Sequence, residues 1–316
     1  MYTRMRSPPD PRDWVYENFA RGLPKQLPEV WMLPDDYPSR AQGNRGTCAA
    51  FVACVIREIA MMRSGVDDPD QLSPEFVYWH RDNKPAGGMY GRAVMKIMQR
   101  WGISPEHLYE YGDVEPEHPP SPEAYAHAMG LRISRYARVN TIEGLKLSLF
   151  EAGAAYLLLP LYRTRPEFWI HDGPLLGCHA VAVIGYDKVG FKLKNSWGEN
   201  WNGDGCVTLP YEDWFLVQEC WTALINYDDD QPGRYNNLRP SDPLLHAPLV
   251  VQPAVVYRSR QERLMSEPSL PSYVEIEPVR RNSLDLQPRQ RVTHNLTHSE
   301  DTTTTTEEAR EKCIIS

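Results

Sequence analysis

The sequence predicts an α+β protein with two lobes. Three observations point there. Helical patterns fill the first half of the folded part, strand patterns fill the second half, and the composition changes near Asp228. Helices first and strands second are the pattern of an α+β fold. A cleft between two lobes is a usual place for a site.

Each element has its own local reason. Residues 49–63 are a strongly apolar helical run, with Thr47 placed to cap it and Gly65 to stop it. Residues 73–82 open with Ser73-Pro74-Glu75, a helix start with proline at the first helical position. Residues 92–101 form a third amphipathic stretch. Residues 154–161 and 180–186 are short apolar runs that read as buried strands. The turn Asp187-Lys188-Val189-Gly190 follows. Residues 191–194 then alternate apolar and basic, as a half-buried strand does.

The hydrophobic share of 41% can supply a core for the folded part, roughly residues 14–227. Residues 1–30 read as an N-terminal extension, 31–227 as the folded domain and 228–316 as a tail. The tail holds no Trp or Phe, nine Pro and the run 302–306 of threonine. Such a segment buries too little to offset its chain entropy and is expected to be largely disordered. Two partly apolar patches in it, 244–256 and 270–276, are candidates for docking on the domain or a partner. The net charge is −8 and no Lys/Arg block stands out, which argues against nucleic acid as a partner. No run of roughly 18 apolar residues offers a membrane span. Residues 1–10 lack the apolar stretch of a secretory signal. The six cysteines are too sparse for a disulfide scaffold and suit a reducing, cytoplasmic compartment.

Cys48 lies where the turn Gln42-Gly43-Asn44-Arg45-Gly46-Thr47 enters the first helix. A thiol there faces unpaired N–H groups and the positive end of the helix dipole. Both favour the thiolate, the form that attacks carbonyls. Position alone fits a small inert core residue better, since free cysteines are commonly buried. A thiolate nucleophile needs a base, and the base an orienter. His179 begins one apolar strand and Asn195 ends the next, so the hairpin returns Asn195 to the neighbourhood of His179. A lone histidine beside an apolar strand is also a common structural residue. A metal cluster of His171, Cys178 and His179 lacks the usual ligand spacing, and no cofactor is implied.

The joint pattern goes further. The segment Gln42-Gly43-Asn44-Arg45-Gly46-Thr47-Cys48-Ala49-Ala50-Phe51 resembles the active-site segment of the papain-like cysteine peptidases. So do Gly177-Cys178-His179-Ala180-Val181 with Gly185-Tyr186-Asp187, and Lys194-Asn195-Ser196-Trp197-Gly198 with Trp201 and Gly205. His179 follows Cys48 by 131 residues and Asn195 follows it by 147, in the window expected for that family. The resemblance covers about residues 33–214. It implies a helical left lobe and an antiparallel, barrel-like β right lobe, with Cys48, His179 and Asn195 as the catalytic residues. It implies that Gln42 joins the Cys48 N–H in the oxyanion hole. Trp197 would shield the His179–Asn195 bond. Gly87-Gly88 resembles the glycine pair that meets an extended substrate, Gly88 bonding its backbone, with Met89 and Tyr90 beside a pocket.

The departures resemble a bacterial-type branch of the family. Secreted members carry a disulfide cysteine where Arg45 stands and Trp where Ala49 stands. Only about 40 residues precede the motif, so no inhibitory propeptide is expected. The chain ends Cys313-Ile314-Ile315-Ser316, which matches a C-a-a-X prenylation signal of the farnesyl type. Farnesylated Cys313 would bring the protein to membranes in a eukaryotic host cytosol, as an effector. The expected activity is hydrolysis of peptide or isopeptide bonds in a protein or peptide substrate. Acyl transfer or deamidation on the same fold, and a prenylated binding module with a vestigial site, stay open.

Overall fold

A computed structural model describes residues 6–20, 27–33, 37–66 and 69–225. The tail, its two apolar patches and Cys313 lie outside the described residues. Chain order runs through α1 (Tyr16–Phe19), β1 (Trp31–Met32), α2 (Cys48–Arg63), α3 (Pro74–Trp79), α4 (Gly91–Arg100) and α5 (Pro122–Met129). It continues through β2 (Arg135–Arg138), α6 (Ile142–Ala152), β3 (Ala155–Leu161), β4 (Gly177–Tyr186), β5 (Gly190–Lys194), β6 (Cys206–Pro210) and β7 (Glu219–Leu224). The architecture is α+β.

The ends of α2 and α3 follow from their residues. Gly65 has φ +90°, and its N–H reaches the Met62 carbonyl while Val66 reaches Met61. That left-handed residue and its paired bonds close α2. Ser73 caps α3, its hydroxyl accepting the Phe76 N–H at 2.9 Å. Thr47 differs from expectation. It occupies the cap position of α2 but makes no side-chain capping bond. Its hydroxyl instead meets Tyr111, 2.7 Å away.

The seven strands form one antiparallel sheet in the order β2-β7-β3-β4-β5-β6, with β1 added along β4. It is buried on both faces, so every residue of β3 is buried and the strand reads as a continuous apolar run. On one face Tyr156, Leu158, Ala180 and Ala182 pack with Ile56 and Ile59 of α2 and Val94 and Met95 of α4. On the other, Leu157, Leu159, Val181 and Val183 pack with Leu145 and Leu149 of α6 and with Phe191 and Leu193. The extension takes part. Tyr16 is buried in the second cluster, Val15 bridges to Arg138, and Asp13 pairs with Arg92.

Strand register decides what faces the cleft. β4 and β5 pair Tyr186 with Phe191 and Gly185 with Lys192, then Val183 with Leu193 and Ala182 with Lys194. A bulge between Val183 and Gly185 shifts the pairing by one residue. Directly opposed residues share a face. The shift therefore carries Asn195 to the face of Val181 and His179. Without it Asn195 would fall on the α2 face with Ala182.

Candidate active site

The N-terminus of α2 meets the start of β4 at an open cleft of about 340 Å³, within the usual range for ligand sites. Its lining includes Gln42, Cys48, Cys178, His179, Trp197 and Trp201. Cys48 is the first residue of α2 and is half-buried. Its thiol is reached by the N–H groups of Ala180, Ala49 and Cys48 itself. Because Ala180 directly follows His179, those contacts set the sulfur beside the histidine strand.

His179 and Asn195 are both buried, with His179 Nε2 2.7 Å from Asn195 Oδ1. The same oxygen lies 2.8 Å from the Ser196 N–H. A backbone N–H only donates, so the atom facing it is the amide oxygen and not the amide nitrogen. Nε2 must then carry a hydrogen to donate to that oxygen. In the neutral ring this leaves Nδ1 with the lone pair, the form able to take a proton from a thiol.

Three aromatic rings hold the imidazole plane. Trp197 stacks on His179 with centroids 4.5 Å apart and planes 23° apart. Phe168 meets His179 edge-on at 5.2 Å, and Trp201 meets Trp197 edge-on at 5.3 Å. Trp197 and Phe168 thus pack against the His179 ring, with Trp201 behind Trp197. Phe168, in an irregular segment after β3, carried no pattern that could single it out from sequence.

Electrostatically, the site keeps its two titratable groups neutral when each stands alone. Burial pulls His179 down to about 4, against the opposing bond from Asn195. Burial also pushes the Cys48 thiol up, and the N–H groups of Ala180 and Ala49 offset only part of this. The helix tip does favour thiolate, as its sequence position suggests, but desolvation is the larger effect. A thiolate and imidazolium formed together attract each other. For unit charges roughly 4 Å apart at an effective dielectric near 20, such an attraction is about 4 kcal/mol, or about three pKa units. That attraction narrows the gap between His179, at about 4, and the Cys48 thiol, above 9.0, without inverting it, so the neutral pair dominates and the thiolate–imidazolium form is its minor, reactive partner.

Gln42 is buried at the cleft edge. Its Nε2 donates to the Arg45 carbonyl at 2.7 Å, and its Oε1 accepts from Ser196 Oγ at 2.6 Å. One Nε2 hydrogen remains for a ligand. Gly87, Gly88 and Met89 lie elsewhere, on the approach to α4, and are not among this cleft's lining residues. The Gly88 carbonyl accepts from Asn83 Nδ2 at 3.1 Å, and Met89 is buried in the helical core. No disulfide joins any two of the five described cysteines. Arg45, where the sequence departs from disulfide-bearing relatives, pairs with the buried Glu75.

No family model matches the chain. It is 24% identical over 242 residues to an uncharacterised peptidase C1-like protein of Acanthamoeba polyphaga mimivirus, covering 64% of this chain and 76% of that one. It is 25% identical over 180 residues to papain of Carica papaya, covering 54% of this chain and 51% of papain. Its fold matches xylellain, a cysteine protease from Xylella fastidiosa, with a TM-score of 0.61 and 24% identity, over 71% of this chain and 96% of xylellain. The antiparallel sheet and the cysteine-tipped helix, together with these relationships, give the chain the papain-like fold and a sequence similarity to the papain-like cysteine peptidases.

Proposed function

We propose that this protein hydrolyses peptide or isopeptide bonds of a protein or peptide substrate, with Cys48 as nucleophile and His179 as its base. The Cys48 thiol gives its proton to His179 Nδ1, and the sulfur attacks the carbonyl carbon. Asn195 holds the ring and stabilises the imidazolium through Nε2–H. The oxyanion takes the Cys48 N–H and the remaining Gln42 Nε2 hydrogen, and loss of one such donor costs about 10²–10³ in kcat. Imidazolium protonates the leaving nitrogen as the C–N bond breaks, leaving a thioester. His179 then deprotonates water, which cleaves the thioester and frees the thiol. Of the glycine segment, exposed Gly87 would border the extended substrate outside the reacting centre, with buried Gly88 and Met89 supporting it from the helical core.

The observation that carries this reading is the single Asn195 oxygen shared by Ser196 N–H and His179 Nε2, because it fixes the tautomer that leaves Nδ1 basic. A thiol-directed covalent probe with peptide mapping tests it. Labelling at Cys48 that disappears in His179→Ala supports the enzyme, and labelling elsewhere or indifferent to His179 rejects it. Product analysis on glutamine-containing peptides, with and without added amine, separates hydrolysis from deamidation and acyl transfer.

A further inference from the structure

The segment from Glu106 to Val114 presses one side chain onto the loop that precedes the nucleophile. Tyr111 is half-buried while Glu110, Gly112, Asp113 and Val114 are exposed. Its hydroxyl lies 2.8 Å from the Gln42 carbonyl oxygen and 2.7 Å from Thr47 Oγ1. The carbonyl can only accept, so the single phenolic hydrogen goes there and Thr47 Oγ1 donates to the phenol oxygen. A directed chain thus runs from the Thr47 hydroxyl through Tyr111 to the Gln42 carbonyl. It ties the residue just before Cys48 to the residue six positions before it. Burial pushes the phenol up, which keeps it a donor at neutral pH.

The rest of the loop is held from the same side. The Tyr111 ring meets Phe51 edge-on at 4.9 Å and sits 4.9 Å from the Arg45 guanidinium. Arg45 bonds Glu75 through two nitrogens and the Gly112 carbonyl at 2.8 Å. The Tyr111 N–H is anchored on Glu106 Oε1 at 3.0 Å. Gln42 is therefore gripped at every polar group. Ser196 takes its N–H and its Oε1, Arg45 takes one Nε2 hydrogen, and Tyr111 takes its carbonyl. The free Nε2 hydrogen has one direction left, set by those four bonds.

We propose that Tyr111 is a positioning residue for the oxyanion donor, acting through the Gln42 backbone with the Arg45–Glu75 pair as its brace. This rests on the assignment of Gln42 to the oxyanion hole. Preorganisation of such a donor matters most when negative charge develops on the carbonyl oxygen. It matters little to alkylation of the thiolate, which forms no oxyanion. Tyr111→Phe keeps the ring on Phe51 and Arg45 and removes only the hydroxyl.

The test uses the full chain, a fluorogenic peptide amide chosen by library profiling, and iodoacetamide. Tyr111→Phe is expected to lower kcat about tenfold, with KM and the alkylation rate of Cys48 within about twofold of wild type. Thr47→Val, which removes the other hydroxyl, is expected to lower kcat in the same direction by a smaller factor. In a Gln42→Ala background Tyr111→Phe should cost nothing more, since the donor it positions is gone. An undiminished kcat, an equal fall in alkylation, or a loss that multiplies with that of Gln42→Ala would overturn the inference. If Gln42→Ala alone leaves kcat unchanged, the oxyanion assignment fails and this proposal fails with it.

Discussion

Replacing Asn195 with alanine removes one oxygen that two buried donors share. The Ser196 N–H at 2.8 Å and His179 Nε2 at 2.7 Å both lose their acceptor. The amide nitrogen, which is buried without a protein acceptor, is removed as well, and this returns part of the cost. One net unsatisfied buried donor costs about 1–3 kcal/mol, so the variant should melt several degrees lower while still folding. The effect on chemistry should be larger than on the fold. In the transition state Nε2–H belongs to a charged ring, and a hydrogen bond to a charged group is worth about 1.5–3 kcal/mol. That corresponds to roughly a 10–100-fold loss in kcat/KM. The ring also loses the bond that selects its tautomer, so part of the population carries its lone pair on the wrong nitrogen. Steady-state kinetics on a fluorogenic peptide beside thermal unfolding would measure both. Activity within twofold of wild type in a folded Asn195→Ala protein would refute the role given to this oxygen.

Other outcomes follow from individual environments. Burial holds His179 near 4 instead of the ordinary 6.5, so in that window the unfolded chain binds a proton that the folded one refuses. The His179 contribution is fully present above pH 6.5 and is lost as pH falls towards 4, by about 3 kcal/mol. Urea unfolding across that range should show a shallower acid loss for His179→Gln than for wild type. Gly102 has φ +75°, and a Cβ there would stand 1.8 Å from the Ala128 carbonyl oxygen. Gly102→Ala should cost about 2–4 kcal/mol by chemical denaturation. Gly65→Ala, with φ +90° and open space around its Cβ, should cost only about 1 kcal/mol of backbone strain.

What could be read from sequence was local. The Ser73-Pro74 start, the Gly65 stop and the apolar run of β3 each carry their reason within a few residues, and each is present. Other elements gave no such signal. β2 is four residues with two arginines, and β7 interleaves Glu219 and Thr222 with apolar residues and buries both. α6 carries Gly144 and Ser148 on its buried side, which blurs a helical stripe. The cleft was only partly visible. The three motifs point to Cys48, His179 and Asn195, but nothing in the sequence marks the bulge that turns Asn195 towards His179. Tyr111 lies 63 residues beyond Cys48 in an irregular Glu- and Pro-rich stretch, so its contacts with Gln42 and Thr47 exist only in three dimensions. Thr47 looked like a cap because its residue type fits one, yet the tyrosine hydroxyl captured it.

In the proposed reaction Cys48 and His179 titrate as a unit, and the pH dependence of Cys48 alkylation by iodoacetamide measures that most directly. Wild type should become reactive from an acid limb near the His179 value of about 4, because the first proton lost from the pair leaves thiolate accessible. His179→Ala should move the onset above the ordinary thiol value of 9.0, since burial then outweighs the N–H groups of Ala180 and Ala49 with no imidazolium beside the sulfur. A wild-type onset already above 9.0 and unmoved by His179→Ala would contradict the account.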